Sequence, residues 1–298
     1  MFRHTAALII AASLLLSACG TAEEKTSDNP TPAGESTTTV QEEQGNSNPT
    51  KTGEPGTGVP EPSTEDSTAT EEEPESSEKV STEKKVEKTY HMNENYYIKP
   101  NVEASPNKVV LLTFDDGPKE EKMITSLIDT LDKHNAKAIF FVNGYRVKSH
   151  PELLKLIHER GQIVGNHAWD HEDLKKMSNA EAAKQVTDVQ KIVKDTIGEE
   201  PQFFRPPFGS GNDALKAAVK KNGMLYMTWS NGSLDWDKST KDKPEKVIQN
   251  VLDQLNPGSN ILMHELPWTV EALDELLTKL EKKGYSFVDP RAIELEAR

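Results

Sequence analysis

Between Val109 and Val288 the chain alternates short, β-rich apolar runs with amphipathic helical patterns, and this alternation constrains the fold more than any other feature. The predicted strands are Val109–Phe114, Ala138–Val142, Gln162–Gly165, Phe203–Arg205, Leu225–Trp229, Ile261–Met263 and Ser286–Val288. Between them lie helical patterns at Glu120–Lys133, Glu152–Glu159, Ala180–Thr196, Asp213–Lys221, Pro244–Leu255 and Val270–Lys282. Glycines 161, 198, 223 and 284 follow four of these helices, as C-terminal caps do. Ser178 with Glu181 forms a capping-box pattern ahead of the longest one. Strands that alternate strictly with helices pair in parallel, because a parallel neighbour needs a crossover. The expected class is α/β, and either an open doubly wound sheet or a closed barrel satisfies the pattern.

The polar residues that interrupt this pattern fall at the carboxyl ends of the strands, where barrel enzymes assemble their sites. Asp115 and Asp116 follow the first strand, in the stretch LLTFDDGP. His167 and His171 follow the third, Arg205 closes the fourth, Asp235 lies after the fifth and His264 ends the sixth. Adjacent carboxylates resist ionising together, and burying either is costly unless a cation is near. Two imidazoles four residues apart, joined by Asp116, make a three-ligand metal site with open positions. On this reading one aspartate coordinates the cation and the other stands free beside it. Two histidines and a carboxylate are also the ligand set of non-haem iron oxygenases. The extra aspartate and the barrel-type alternation favour a hydrolase. His91, His134, His150 and His158 receive no role.

The first 88 residues are of another kind. Residues 1–19 have a short basic start, an apolar core and small residues before Cys19, and read as a secretory signal. Its end, Leu16-Ser17-Ala18-Cys19, resembles the lipobox of bacterial lipoproteins, which implies lipidation at Cys19 and a membrane anchor. The only cysteine in the chain sits there, so no internal disulfide is expected. Residues 20–88 carry 17 acidic and 6 basic residues, which accounts for −11 of the net charge of −14. With almost no large apolar side chains, this segment is expected to be a disordered acidic tether. The acidic balance argues against nucleic acid as a partner. Residues 89–298 are expected to form one domain.

Five motifs occur in order within that domain: TFDDGP at Thr113–Pro118, the pair His167 and His171, RPPFG at Arg205–Gly209, SLDW at Ser233–Trp236 and ILMH at Ile261–His264. Together they resemble the motif set of the polysaccharide deacetylases, carbohydrate esterase family four. The resemblance implies a distorted seven-stranded (β/α) barrel. It implies a divalent metal, zinc by default with cobalt or nickel as alternatives, held by Asp116, His167 and His171. It also implies Asp115 as general base, Arg205 as its partner, His264 as general acid and Asp235 as the group that tunes it. Trp236 and Leu262 would line a pocket for the acetyl methyl, and the Phe208 N–H would face the oxyanion. The implied reaction removes N-acetyl groups from N-acetylglucosamine units of peptidoglycan or chitin-like oligosaccharides. With the lipobox, that places the protein outside the membrane, lipid-anchored and reaching into a cell wall; the sequence carries no sign of oligomeric state, and a monomer is the default expectation.

Four positions depart from the family pattern. Ala168 and Glu172 stand where a hydroxyl residue and a proline are usual, and Gly232 and Glu265 each replace an aspartate. Loss of the hydroxyl should leave the ligand histidines less firmly oriented. These departures keep open an alternative: a tethered wall-glycan-binding protein with weak or no catalysis. Base and acid together argue against it, since a binder needs neither.

Overall fold

The computed structural model describes residues 86–298. The expected signal peptide, the lipidation at Cys19 and nearly all of the expected tether lie outside the described residues. Val86 packs on the core and Lys88 Nζ donates to the Ile293 carbonyl at 3.0 Å.

The described chain opens with an antiparallel hairpin, β1 (Tyr90–Met92) and β2 (Ile98–Pro100), that the sequence reading did not anticipate. There follow β3 (Val109–Gly117), α1 (Glu121–Lys133), β4 (Ala138–Val142), α2 (Gly144–Ser149), α3 (Pro151–Glu159), β5 (Ile163–Asn166), α4 (Asn179–Ile197) and β6 (Phe203–Phe204). The second half holds α5 (Asp213–Lys221), β7 (Leu225–Tyr226), β8 (Asn231–Gly232), α6 (Pro244–Asp253), β9 (Ser259–His264), α7 (Pro267–Lys282) and β10 (Ser286–Phe287). Strands pair in parallel in the order β7-β6-β5-β4-β3-β9-β8, a curled seven-stranded run, and β10 joins the start of β3. The parallel sheet expected from the alternation, and the seven-stranded barrel type implied by the resemblance, are therefore present.

Two predicted strands, Phe203–Arg205 and Ser286–Val288, end one residue early, and a third is shorter by three. Leu225–Trp229 stops at Tyr226, and β8 takes its place at the far end of the run. The reason lies at Thr228, whose carbonyl accepts from Arg205 Nε (3.1 Å), an Arg205 terminal nitrogen (2.8 Å) and Asn260 Nδ2 (3.0 Å). Side chains take the bonds a ladder would have used. No ladder joins β7 to β8 among the described residues, and this side-chain stitch spans the seam.

Successive strand residues face opposite sides. In β3, Val110, Leu112 and Phe114 belong to the cluster under the helices, while Val109 and Leu111 belong to the interior cluster. The interior series continues upward as Thr113 and Asp115, both buried. In β9, Ile261 and Met263 pack outward, leaving Asn260, Leu262 and His264 for the interior. The β3 column is thus apolar below and polar above, and the β9 column ends in His264 beside Asp115. Met92 and Ile98 of the hairpin fill the lower interior, and Ile98 N–H donates to the Gly258 carbonyl at 2.8 Å. Gly258 has φ +87, and a side chain there would run into the Ile98 backbone, so the plug requires glycine. Glycines 161, 198, 223 and 284 all have positive φ, and the Ser178–Glu181 capping box is formed. No described helix is long and apolar enough to cross a membrane.

Candidate active site

The site forms where the polar upper ends of β3, β5, β6 and β9 meet. Strand alternation would put Asp115 inside and Asp116 outside. The register of β3 on β4 shifts between Phe114 and Gly117, and Asp116 adopts φ +66. That bulge turns Asp116 back, so both carboxylates line one cavity of about 420 Å³. Ala168, Phe208 and Leu234 also have positive φ, in three other loops at this end. Such backbone is costly for non-glycine residues and collects at functional sites.

Asp116 Oδ1 lies 3.4 Å from His167 Nε2 and 3.2 Å from His171 Nε2. It is buried without a hydrogen-bond partner. His167 Nδ1 lies 2.7 Å from the Arg205 carbonyl, which can only accept, so Nδ1 carries the proton. In the neutral ring His167 Nε2 then presents a lone pair toward a carboxylate oxygen, an arrangement that a cation relieves, and in the protonated ring it donates to that oxygen instead. Ligand atoms about 2.0–2.1 Å from a tetrahedral ion stand about 3.3 Å apart, which matches these spacings. The three donors lie within 4.8 Å of one another. Burial would raise Asp116, but His167, His264 and His171 hold it well below the usual carboxylate range. Burial lowers His171, which favours the neutral, ligating form. The residues thus fit a divalent metal.

Other bonds brace the histidine loop where a hydroxyl was expected. Asn143 Nδ2 donates to the His167 carbonyl at 2.8 Å, Ala168 N–H donates to Asn166 Oδ1 at 2.9 Å, and Asp170 N–H donates to Gln185 Oε1 at 2.8 Å.

Asp115 Oδ1 accepts from Arg205 at 2.7 Å. Arg205 is fully buried over the Phe141 ring and also donates to Thr113 Oγ1 and Asn260 Oδ1. Asp115 Oδ2 remains directed at the cavity side, 3.8 Å from His167 Nε2. His264 also lines the cavity. Its Nδ1 donates to Asp235 Oδ1 at 2.7 Å, while Asp235 Oδ2 accepts from His264 N–H and Thr269 Oγ1, each at 2.7 Å. Burial pulls His264 down, but Asp235, with Asp115 and Asp116, raises it above the ordinary imidazole value. Leu262 is buried in the cavity wall, whereas Trp236 (45% exposed) and Phe208 (64% exposed) form its rim. The Phe208 ring meets His171 edge-on, and the Trp236 ring meets His264 edge-on.

All ten predicted residues of the domain's site therefore lie in one constellation. Sequence reasoning missed Thr113, Asn260, Thr269, Trp229 and the Thr228 carbonyl. Thr113 and Asn260 were findable, as polar residues in phase with the inward faces of their strands. Larger cavities of about 550 Å³ around Gln162 and about 700 Å³ around Tyr226 hold none of the predicted residues. Chemistry rather than size marks the smaller one.

Comparison with known proteins identifies the family. The polysaccharide deacetylase family model matches residues 102–227. The chain is 38% identical over 192 residues to the peptidoglycan-N-acetylmuramic acid deacetylase PdaC of Bacillus subtilis, covering 63% of this chain and 39% of that protein. It is 38% identical over 188 residues to a peptidoglycan-N-acetylglucosamine deacetylase of Bacillus cereus, covering 60% of this chain and 68% of that one. A crystal structure of a peptidoglycan N-acetylglucosamine deacetylase in complex with an N-oxidanyl-benzamide superposes with a TM-score of 0.58 at 34% identity, over 64% of this chain and 92% of that one. The chain belongs to the polysaccharide deacetylase family. It spans well under half the length of the Bacillus subtilis relative.

Proposed function

We propose that the protein is a metal-dependent deacetylase that removes N-acetyl groups from N-acetylglucosamine units of peptidoglycan or chitin-like oligosaccharides. One observation carries this reading: two adjacent aspartates, turned to the same cavity, face a metal-type ligand set on one side and a carboxylate-supported histidine on the other. Asp116, His167 and His171 would hold the ion, with zinc as the default. When bound, a divalent ion supplies Lewis acidity that polarises an amide carbonyl and makes water a better nucleophile. Asp115, fixed through Oδ1 by Arg205, is free at Oδ2 to take the proton of the attacking water. The Phe208 N–H stabilises charge on the carbonyl oxygen. Amines leave poorly unless protonated, and His264, held cationic by Asp235, delivers that proton from Nε2. Leu262 and Trp236 exclude water around the acetyl methyl. Water adds to the carbonyl and the C–N bond breaks, so the products are acetate and a free amino sugar.

The relatives' names support a wall substrate, and they include both N-acetylglucosamine and N-acetylmuramic acid enzymes. Anchoring through Cys19, an acidic tether up to the domain, a monomeric state and work outside the membrane complete the proposal. The test is acetate release by the purified full chain from N-acetylglucosamine oligomers and from peptidoglycan, with zinc or cobalt added. Release should depend on metal and fall about 10²–10⁴-fold in Asp115→Asn, the range ascribed to a general base. A folded protein that releases no acetate under any metal yet retains glycan would instead be a wall-binding relative.

A further inference from the structure

Glu265 directly follows His264, is 1% exposed and has no part in the steps above. Its Oε2 accepts the Lys119 N–H at 2.8 Å. Its Oε1 has no hydrogen-bond partner and occupies the space that a Cβ on Gly117 would need. The side chain therefore crosses from the end of β9 to the turn that leaves β3, just past Asp116.

That turn lacks ordinary support. The β3–β9 ladder ends at the Asp115–His264 pair, and the β3–β4 ladder is broken between Phe114 and Gly117. Beyond Asp115 the Glu265 carboxyl supplies the next rung, a side-chain bond in place of a backbone one. The fold carries this rung at a cost, because burial without a hydrogen-bonded cation disfavours the carboxylate and pushes Glu265 up to about 7. An apolar side chain would fill the same space more cheaply, so packing alone does not account for an acid here.

We propose that Glu265 is a positioning residue: it ties the turn bearing Asp115 and Asp116 to the strand bearing His264, and so fixes the metal-binding carboxylate relative to the acid. The inference rests on the function proposed above. It also gives Gly117 a purpose, since only a residue without a side chain leaves room for the longer acid.

The test uses the full chain, with Co²⁺ uptake followed by visible absorption, zinc affinity by chelator competition, and kcat and KM on N-acetylglucosamine oligomers. Glu265→Met should keep the fold but weaken metal binding about 10-fold or more, as loss of groups that orient ligands does. Its kcat should fall with little change in KM. Glu265→Gln can still accept from Lys119 and should recover most of that loss. Gly117→Ala approaches the contact from the other side and should reproduce the defect even if Glu265→Met fails to fold. Gly117→Ala with Glu265→Met together should be no worse than the worse single change, because both break one contact. A Glu265→Met protein with unaltered cobalt spectrum and kcat would overturn the inference, as would a Glu265→Gln protein as impaired as Glu265→Met. A wild-type chain that neither takes up cobalt nor releases acetate would overturn the proposed function and this inference with it.

Discussion

Neighbouring residues of a strand point to opposite faces, so Asp115 and Asp116 share a cavity only because the backbone between them leaves the strand conformation. The doubled carboxylate was legible in LLTFDDGP, as was its need for a cation. The bulge and the left-handed Asp116 that satisfy this need were not, since they depend on where β4 stops pairing. Asp116→Asn should lose metal by more than the 10–100-fold typical of groups that merely orient a ligand, measured by chelator competition. His264 supplies a pH test. Its raised value contributes stability that is fully present below the unfolded imidazole value, about 6.5, and is lost as pH rises through the folded one. Asp235→Asn removes the chief support, so the alkaline limb of kcat/KM should move to lower pH. An unmoved limb would show that Asp235 does not tune the acid.

At the level of elements, the period-two and helical patterns located five of the predicted strands to within about two residues at either end, because the central strands bury both faces and read as apolar runs. They missed β1, β2 and β8, each three residues or fewer and carrying no period of its own. They also extended Leu225–Trp229 too far, because the bonds that end it come from Arg205 and Asn260, distant in sequence. Arg205 serves two elements at once, holding Asp115 on β3 and the Thr228 carbonyl at the seam. Arg205→Met strands a buried carboxylate and should destabilise the domain by about 3–5 kcal/mol, visible as a lower thermal midpoint. For scale, Ser178→Ala removes only the cap of α4 and should cost about 0.5–2 kcal/mol by the same measurement. Comparable losses in the two variants would mean the seam does not depend on the guanidinium.

Across the whole domain, the acid side of the pH–stability curve should carry the mark of Glu265. A buried carboxyl held at about 7 binds a proton in the folded state that the unfolded chain has already released. Stability should therefore fall as pH rises from about 4.5 toward 7, by an amount on the order of 3 kcal/mol. In metal-stripped protein Glu265→Gln should flatten that decline, followed by urea unfolding across this pH range. The class of fold and the candidate metal triad were legible in the sequence, because each rests on residue type and position along a strand, while the proposed acid and base came from the resemblance of the five motifs. The hairpin plug, the seam and the Glu265 rung were hidden for a common reason: each depends on which chain segments become neighbours in space.

The seam has a consequence for the protein's fate in a cell. A barrel whose seam is sewn by two side chains, Arg205 and Asn260, loosens at two unpaired strand edges when the Arg205 bonds are cut, and open edges recruit other chains. Loss of Arg205 should thus show itself as less soluble protein and more aggregate. In a population of sequences, changes there would be removed through low abundance before any slowing of catalysis could be felt.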